Sequence, residues 1–209
     1  MLKKIFKITQ KKIFLVVILG PDGAGKSTLI KGLIKEYDDY GVNYYSHLYP
    51  KLNKFKGFGK LNYPYKKKPY PIFISDLKII YMLLRHIISA LIICINSKKE
   101  KSIIWCDRYL YDIFADPHRY RIKNTFFNYQ FIRHISWKPD IIIILNPPLN
   151  SILKRSSELE ESELRLQIKS YNKLKAILKD SLLISSENKI EETIVKSKNY
   201  IDKFLYGKK

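Results

Sequence analysis

The stretch GPDGAGKST, Gly20 to Thr28, stands directly behind the apolar run Ile13–Leu19 and directly ahead of helical periodicity. The pattern of a glycine, four residues and then glycine-lysine-serine is filled by Gly20, Gly25, Lys26 and Ser27. Gly23 and Gly25 let the backbone take conformations that side chains forbid, so successive amide N–H groups can turn inward on anionic oxygens. The first turn of the following helix aims its positive dipole end at the same anion. Lys26 has the reach for the β- and γ-phosphates of a nucleotide, and the Ser27 hydroxyl suits Mg²⁺. The whole loop, with Asp22, Ala24 and Thr28 among its members, is read as a cradle for ATP. Such a loop also dictates its surroundings, because it needs a buried strand on one side and a helix on the other.

Both neighbours are legible. IFLVVIL reads as a strand covered on both faces, and Leu29, Leu33 and Ile34 mark one face of a helix. Further strands are expected at 42–49, 102–109, Ile141–Leu145 and 181–185. Helices are expected at 79–95, where Ser75 and Asp76 offer a cap, at 125–137, in a short piece through Arg155, along an apolar face from Leu164 to Leu178, and at Ile190–Leu205. Ser157 and Glu160 form a candidate capping box. Strands alternating with helices imply a parallel sheet with right-handed crossovers. At 209 residues the expectation is one α/β domain: a five-stranded parallel sheet flanked by helices, a small helical lid at about 150–165 and a long basic loop at 51–71.

Composition narrows the partners. Lys and Arg number 39 against 19 Asp and Glu, a net charge of +20, yet no nucleic-acid recognition motif accompanies the charge, and nucleic acid is not expected as a partner. Peripheral contact with an anionic membrane stays open. Cys94 and Cys106 make no disulfide framework and suit a reducing cytoplasm. The Lys-rich start followed by an apolar run imitates a signal peptide, but a loop rather than a small-residue cleavage site follows, so export is not expected. Residues 79–95 are apolar enough to suggest a membrane span, but Arg85 near the centre costs about 2.5–3.5 kcal/mol there. The spacing of Ile80, Leu84, Ile87, Leu91 and Ile95 instead describes a buried helix with a second apolar contact, for which a homodimer partner is the simplest candidate.

In an open parallel sheet, ligands gather at the carboxyl ends of the strands. The Gly20–Thr28 loop falls there. So does Asp107-Arg108-Tyr109, where a carboxylate can bind Mg²⁺ through water and a guanidinium can clamp phosphate. Arg155 lies in the expected lid among Lys154, Glu158, Glu161 and Arg165, where an arginine can neutralise a transferring phosphoryl group. Asp116-Pro117-His118-Arg119-Tyr120 can reach an acceptor or cap a helix.

These motifs resemble the thymidylate kinase family over nearly the whole chain. GPDGAGKSTL is similar to its phosphate loop, CDRY to its second motif, and LNPPLNSILKRSSELE to its strand, proline break and lid. The spacing from Arg85 to Asp107 is close to that between the family's acceptor-site arginine and its Asp-Arg pair. The resemblance implies a P-loop nucleoside monophosphate kinase fold, commonly dimeric, that moves the γ-phosphoryl of Mg-ATP onto dTMP. By the same token Lys26 and Ser27 hold ATP and Mg²⁺, Asp22 faces the acceptor, and Arg108 contacts phosphate. With Ala24 in the loop, the catalytic arginine comes from the lid, Arg155 first. Two places depart from the family: Leu19 stands where Glu is usual, and Ser46-His47-Leu48-Tyr49-Pro50 replaces an Arg-Glu-Pro-Gly segment that grips the acceptor. HLYP, the DRYLYD…DPHRYR block and the lid sequence are more similar to thymidylate-kinase-like proteins encoded among bacterial surface-polysaccharide genes. His47, Tyr49, Arg85, Arg108 and Arg119 are therefore the acceptor-side candidates. The implied activity is ATP-dependent phosphoryl transfer to a nucleoside monophosphate or another small acceptor. The alternative is an ATP-dependent switch or assembly factor at an anionic membrane surface.

Overall fold

The computed structural model describes residues 13–51, 68–96, 101–123, 127, 129–154, 160–185 and 190–207. In chain order the elements are β1 (Ile13–Leu19), α1 (Lys26–Glu36), β2 (Val42–His47), α2 (Ile72–Asn96), β3 (Ser102–Asp107), α3 (Asp112–Ala115), α4 (Tyr129–Ile135), β4 (Ile141–Leu145), α5 (Leu149–Leu153), α6 (Glu161–Ile177), β5 (Leu182–Ile184) and α7 (Ile190–Leu205). The strands form one parallel sheet in the order β2-β3-β1-β4-β5.

Successive side chains of a strand face opposite sides of the sheet, so the central strand feeds two cores at once. Leu15, Val17 and Leu19 pack on one side with Ile79, Met82 and Tyr171. Val16 and Ile18 pack on the other with Leu29, Leu33 and Ile201. Both faces of β1, β3 and β4 are thus covered by helices, which is why these strands read as almost unbroken apolar runs. Gly32 lets α1 and α7 come together, since a Cβ there would meet Ile194 Cδ1 at 2.3 Å.

Several boundaries differ from those expected. The long helix starts at Ile72 rather than 79, so Ser75 and Asp76 lie inside it and are not its cap; Ser75 Oγ instead donates to Tyr70 O at 3.2 Å, pinning the preceding turn. The 42–49 strand ends at His47, because Leu48 adopts φ 66° and Tyr49 N–H turns back to His47 O at 2.8 Å. The 102–109 strand ends at Asp107 for the same kind of reason, Arg108 having φ 70°. The helix expected at 125–137 is seen over Tyr129–Ile135. Ser157, Arg155 and Glu158 of the expected lid, and all but the ends of the basic loop at 51–71, lie outside the described residues.

His86 is the polar interruption on the buried side of α2. Its Nε2 accepts the Trp137 N–H at 3.1 Å and lies 2.9 Å from Tyr109 Oη, tying α2 to the segments that flank β3 and β4. Burial pushes its pKa from 6.5 down to about 3. Below pH 6.5 the unfolded chain takes up a proton that the folded chain refuses. Stability is therefore complete above that pH and falls toward about pH 3, by roughly 5 kcal/mol in all. The expected result in urea titrations is a steep acid limb for the wild type and a flatter one for His86→Gln. Parallel limbs would remove His86 from the account.

Candidate active site

The loop after β1 is shaped by its glycines. Gly20 has φ 148°, and a Cβ there would come within 2.2 Å of Leu145 O at the end of β4, so no side chain fits. Gly23 and Gly25 take φ 75° and 89°, and Gly25 sits at the start of α1. Positive φ at successive glycines ahead of a helix start is the backbone form that an anion cradle requires.

Lys26 opens α1 and is buried, its Nζ donating to Gly20 O at 2.8 Å and Pro21 O at 2.7 Å. Burial and the neighbouring Arg108 lower its pKa to about 8, against the pull of Asp22, Asp107 and Asp112. Ser27 Oγ lies 3.2 Å from Asp107 Oδ2, and Tyr45 Oη is 3.5 Å from the same oxygen. Asp107 Oδ1 is buried and has no hydrogen-bond partner among the described residues. A hydroxyl and a carboxylate with an unused oxygen, side by side, fit a hard divalent cation. Among the described residues no cluster of three or more His, Cys, Asp or Glu is placed to hold a metal. A cation here would complete its shell with phosphate oxygens and water, the habit of Mg²⁺.

Next to this pair the backbone takes a left-handed turn at Arg108, with φ 70°. Arg108 N–H donates to Ile18 O at 2.9 Å, which joins β3 to β1 and holds the left-handed residue in place. Its guanidinium is only 2% exposed and is shared between Asp22 and Asp112, with Nη1 2.6 Å from Asp112 Oδ2. Asp112 is completely buried and also accepts Tyr171 Oη at 2.5 Å and Tyr120 Oη at 2.9 Å. Burial alone would raise its pKa; Arg108 and the Tyr171 hydroxyl bring it below the ordinary value.

Asp22 binds a second guanidinium, that of Arg119, whose Nε is also 3.4 Å from Asp116 Oδ2. Burial again opposes ionisation of Asp22, and Arg108, Lys26 and Arg119 overcome it, holding the carboxylate well below its usual range. Gln167 Nε2 reaches Asp116 Oδ2 at 3.1 Å. Asn146, just past β4, anchors α6 by donating to Ile168 O at 3.1 Å and Asn172 Oδ1 at 2.8 Å. That anchor brings Gln167 and Tyr171 over the strand ends.

The structure thus gathers Asp22, Lys26, Ser27, Asp107, Arg108 and Arg119 into one cluster at the carboxyl ends of β1 and β3. His47 lies in register with Asp107 at the exposed end of β2. Its surroundings and the cations Arg108 and Arg119 press its pKa below 6.5, with Asp107 pulling the other way. Tyr49 is buried, and the Arg85 guanidinium stacks over its ring at 4.8 Å while donating to Tyr81 Oη at 3.1 Å. Arg165 is exposed and paired with Glu161 on α6, as its i, i+4 spacing predicts. Arg155 lies outside the described residues.

Four partners escaped the sequence reading. Asp112 stands five residues beyond Asp107 and gave no separate signal. Tyr171 read as part of an apolar helix face, Gln167 as an ordinary position, and Tyr120 as the end of the Asp116–Tyr120 turn with no role of its own. Only the return of α6 across the sheet reveals them.

A parallel sheet in this order, with a glycine-rich loop between its central strand and the first helix, is a P-loop kinase fold. Among solved structures the chain is similar to thymidylate kinase from Ehrlichia chaffeensis, with a TM-score of 0.59 at 15% identity, covering 91% of this chain and 99% of that one. It is also similar to thymidylate kinase from Candida albicans, with a TM-score of 0.54 at 16% identity and 94% coverage of each chain. Deoxyadenosine kinase from M. mycoides with bound dATP gives a TM-score of 0.51 at 17% identity, covering 90% of this chain and 100% of that one. No protein-family model and no curated protein matches the chain. The resemblance to thymidylate kinases therefore holds at the level of the fold, which is thymidylate-kinase-like.

Proposed function

We propose that this protein is an ATP-dependent phosphotransferase that moves the γ-phosphoryl group of Mg-ATP onto a small acceptor. The observation that carries this reading is the convergence of Lys26, the Ser27–Asp107 pair with its unused carboxylate oxygen, and the Asp22–Arg108–Arg119 cluster at one edge of the sheet. The loop amides from Gly20 to Thr28 hold the nucleotide phosphates, and Lys26 leaves its carbonyl partners to meet the β- and γ-oxygens. Ser27 and Asp107 would hold Mg²⁺, which would supply positive charge against that developing on the phosphates. An acceptor oxygen attacks the γ-phosphorus as the bond to the ADP oxygen breaks. Arg108 and Arg119 stand on the acceptor side, and Asp22 keeps both guanidiniums aimed. Arg155 supplies positive charge from the lid.

The acceptor is a nucleoside monophosphate or another small molecule, in keeping with the nucleotide and nucleoside kinases whose fold this chain shares. dTMP is expected to serve poorly. His47-Leu48-Tyr49-Pro50 occupies the acceptor-gripping position, and Tyr49 is turned into the core beneath Arg85 rather than offered to a ligand. The test is ADP release across a panel of nucleoside monophosphates, nucleosides and phosphorylated sugars. Acceptor-dependent turnover is expected, with dTMP well below the 1–100 s⁻¹ or so typical of kinases. Rapid turnover of dTMP would show that the acceptor segment has been misread. Slow hydrolysis that no acceptor accelerates, together with liposome binding, would favour a membrane-surface switch.

A further inference from the structure

Both acceptor-side arginines are already claimed by carboxylates. Arg108 lies between Asp22 and Asp112, and Arg119 between Asp22 and Asp116. With Lys26 and Asp107 assigned to the nucleotide end, the described residues here set three carboxylates, Asp22, Asp112 and Asp116, against two guanidiniums. The balance is one negative charge. His47 does not offset it at neutral pH, because burial presses its pKa below 6.5. Arg85 is exposed and turned onto Tyr81 and Tyr49.

The pairs are built to stay as they are. Arg108 is 2% exposed and Asp112 fully buried, and the Tyr171 and Tyr120 hydroxyls donate to Asp112 at 2.5 and 2.9 Å. Asp116 accepts the Arg119 backbone N–H on Oδ1 at 3.2 Å and Gln167 Nε2 on Oδ2 at 3.1 Å. Asp22 and Asp112 stay ionised against the pull of burial, because the arginines favour the charged form.

A phosphomonoester brings nearly two negative charges and acceptor oxygens to such a cluster. To reach either guanidinium it must displace a carboxylate, and a buried carboxylate stripped of its cation is strongly destabilising. An alcohol meets no such obstacle, since its hydroxyl donates to a carboxylate and accepts from a guanidinium. Asp22 and Arg119 are the members placed to receive it: their side chains are 13% and 16% exposed, against 3% or less for Arg108, Asp112 and Asp116.

We infer that the phosphoryl acceptor is the hydroxyl of an uncharged alcohol, and that Asp112 and Asp116 exclude phosphomonoesters by keeping Arg108 and Arg119 neutralised. This inference rests on the proposed phosphotransferase reading. The hydroxyl oxygen bonds to the γ-phosphorus of ATP as the bond from that phosphorus to the bridging oxygen of ADP breaks. The hydroxyl proton passes to Asp22 and then to water, so that alcohol and ATP give a phosphomonoester, ADP and a proton.

Two measurements on the full chain test it. The first follows transfer of radiolabelled γ-phosphate to paired acceptors: thymidine and dTMP, deoxyadenosine and dAMP, glucose and glucose 6-phosphate. The alcohol of an active pair is expected to exceed its monoester in kcat/KM by about a hundredfold or more. A monoester that equals or outpaces its alcohol would overturn the inference. The second is calorimetric titration of inorganic phosphate into protein saturated with Mg²⁺ and a non-hydrolysable ATP analogue, which fills the phosphate loop. The wild-type Kd is expected above about 10 mM, and Asp116→Asn, one negative charge fewer, is expected to bind about tenfold more tightly. Submillimolar binding by the wild type would overturn the inference, as would a folded Asp116→Asn with unchanged affinity. Should that variant fail to fold, the wild-type titration and the paired acceptors decide. ADP release that neither alcohols nor monoesters accelerate would refute the phosphotransferase reading itself, whereas preference for monoesters would refute only the uncharged acceptor.

Discussion

Lys26→Ala is expected to lower phosphoryl transfer by at least about a hundredfold to a thousandfold, the scale on which single preorganised donors act. The fold is expected to survive. Lys26 is held in the cleft by the Gly20 and Pro21 carbonyls rather than by core packing. Burial already opposes its charge, as its pKa near 8 records. Water can satisfy the two carbonyls once the side chain is gone, so Tm is expected to stay within about 4 °C of wild type. ADP release and a thermal melt on the same preparation decide the matter. A folded variant with wild-type turnover would show that this loop does not bind the transferred phosphoryl group.

Arg108→Met carries the second large effect, and it acts on stability as well as activity. The guanidinium is the cationic partner of the fully buried Asp112 and one of two for Asp22. Removing one member of a buried pair leaves an uncompensated charge and costs about 3–5 kcal/mol. The double variant Arg108→Met/Asp112→Leu removes both charges and is expected to recover part of that loss, while remaining inactive because Arg119 does not take the place of the Arg108 guanidinium at the end of β3. Urea denaturation of the single and double variants, read as a cycle with Asp112→Leu, measures the coupling directly. If the double variant is no more stable than Arg108→Met, the pair is not the origin of the destabilisation. If Arg108→Met turns over normally, Arg108 is a structural residue alone.

The two variants also separate kinds of information. The role proposed for Lys26 rests on local order: a buried strand, a loop of glycines and a helix start are contiguous in the chain, and each leaves its own composition and period. The strand run Ile141–Leu145, apolar at every position, declares a central place in a parallel sheet in the same way. Asp107 and Arg108 were legible because charge at the end of an apolar strand is a conspicuous break in pattern. The early start of α2 was less so, since Ser75 and Asp76 are favoured caps by type, and it is the backbone bond from Ser75 N–H to Pro71 O at 2.9 Å that places Ser75 inside the helix.

Local sequence therefore determined the alternation of strands and helices, the phosphate loop and the list of charged residues near the strand ends, because these depend on neighbours within a few positions. Tertiary structure alone decided which charges meet. Asp22 joins Arg108 and Arg119 across 86 and 97 positions, and Tyr171 reaches Asp112 across 59. Such pairings depend on how α6 crosses the sheet and on the left-handed turn at Arg108, and a tyrosine leaves the same mark in a sequence whether it fills a core or grips a buried carboxylate. The two faces of α2 divide in the same manner: its apolar periodicity is written in the chain, but which face the sheet takes, and which remains exposed, is fixed only when the helix is laid down.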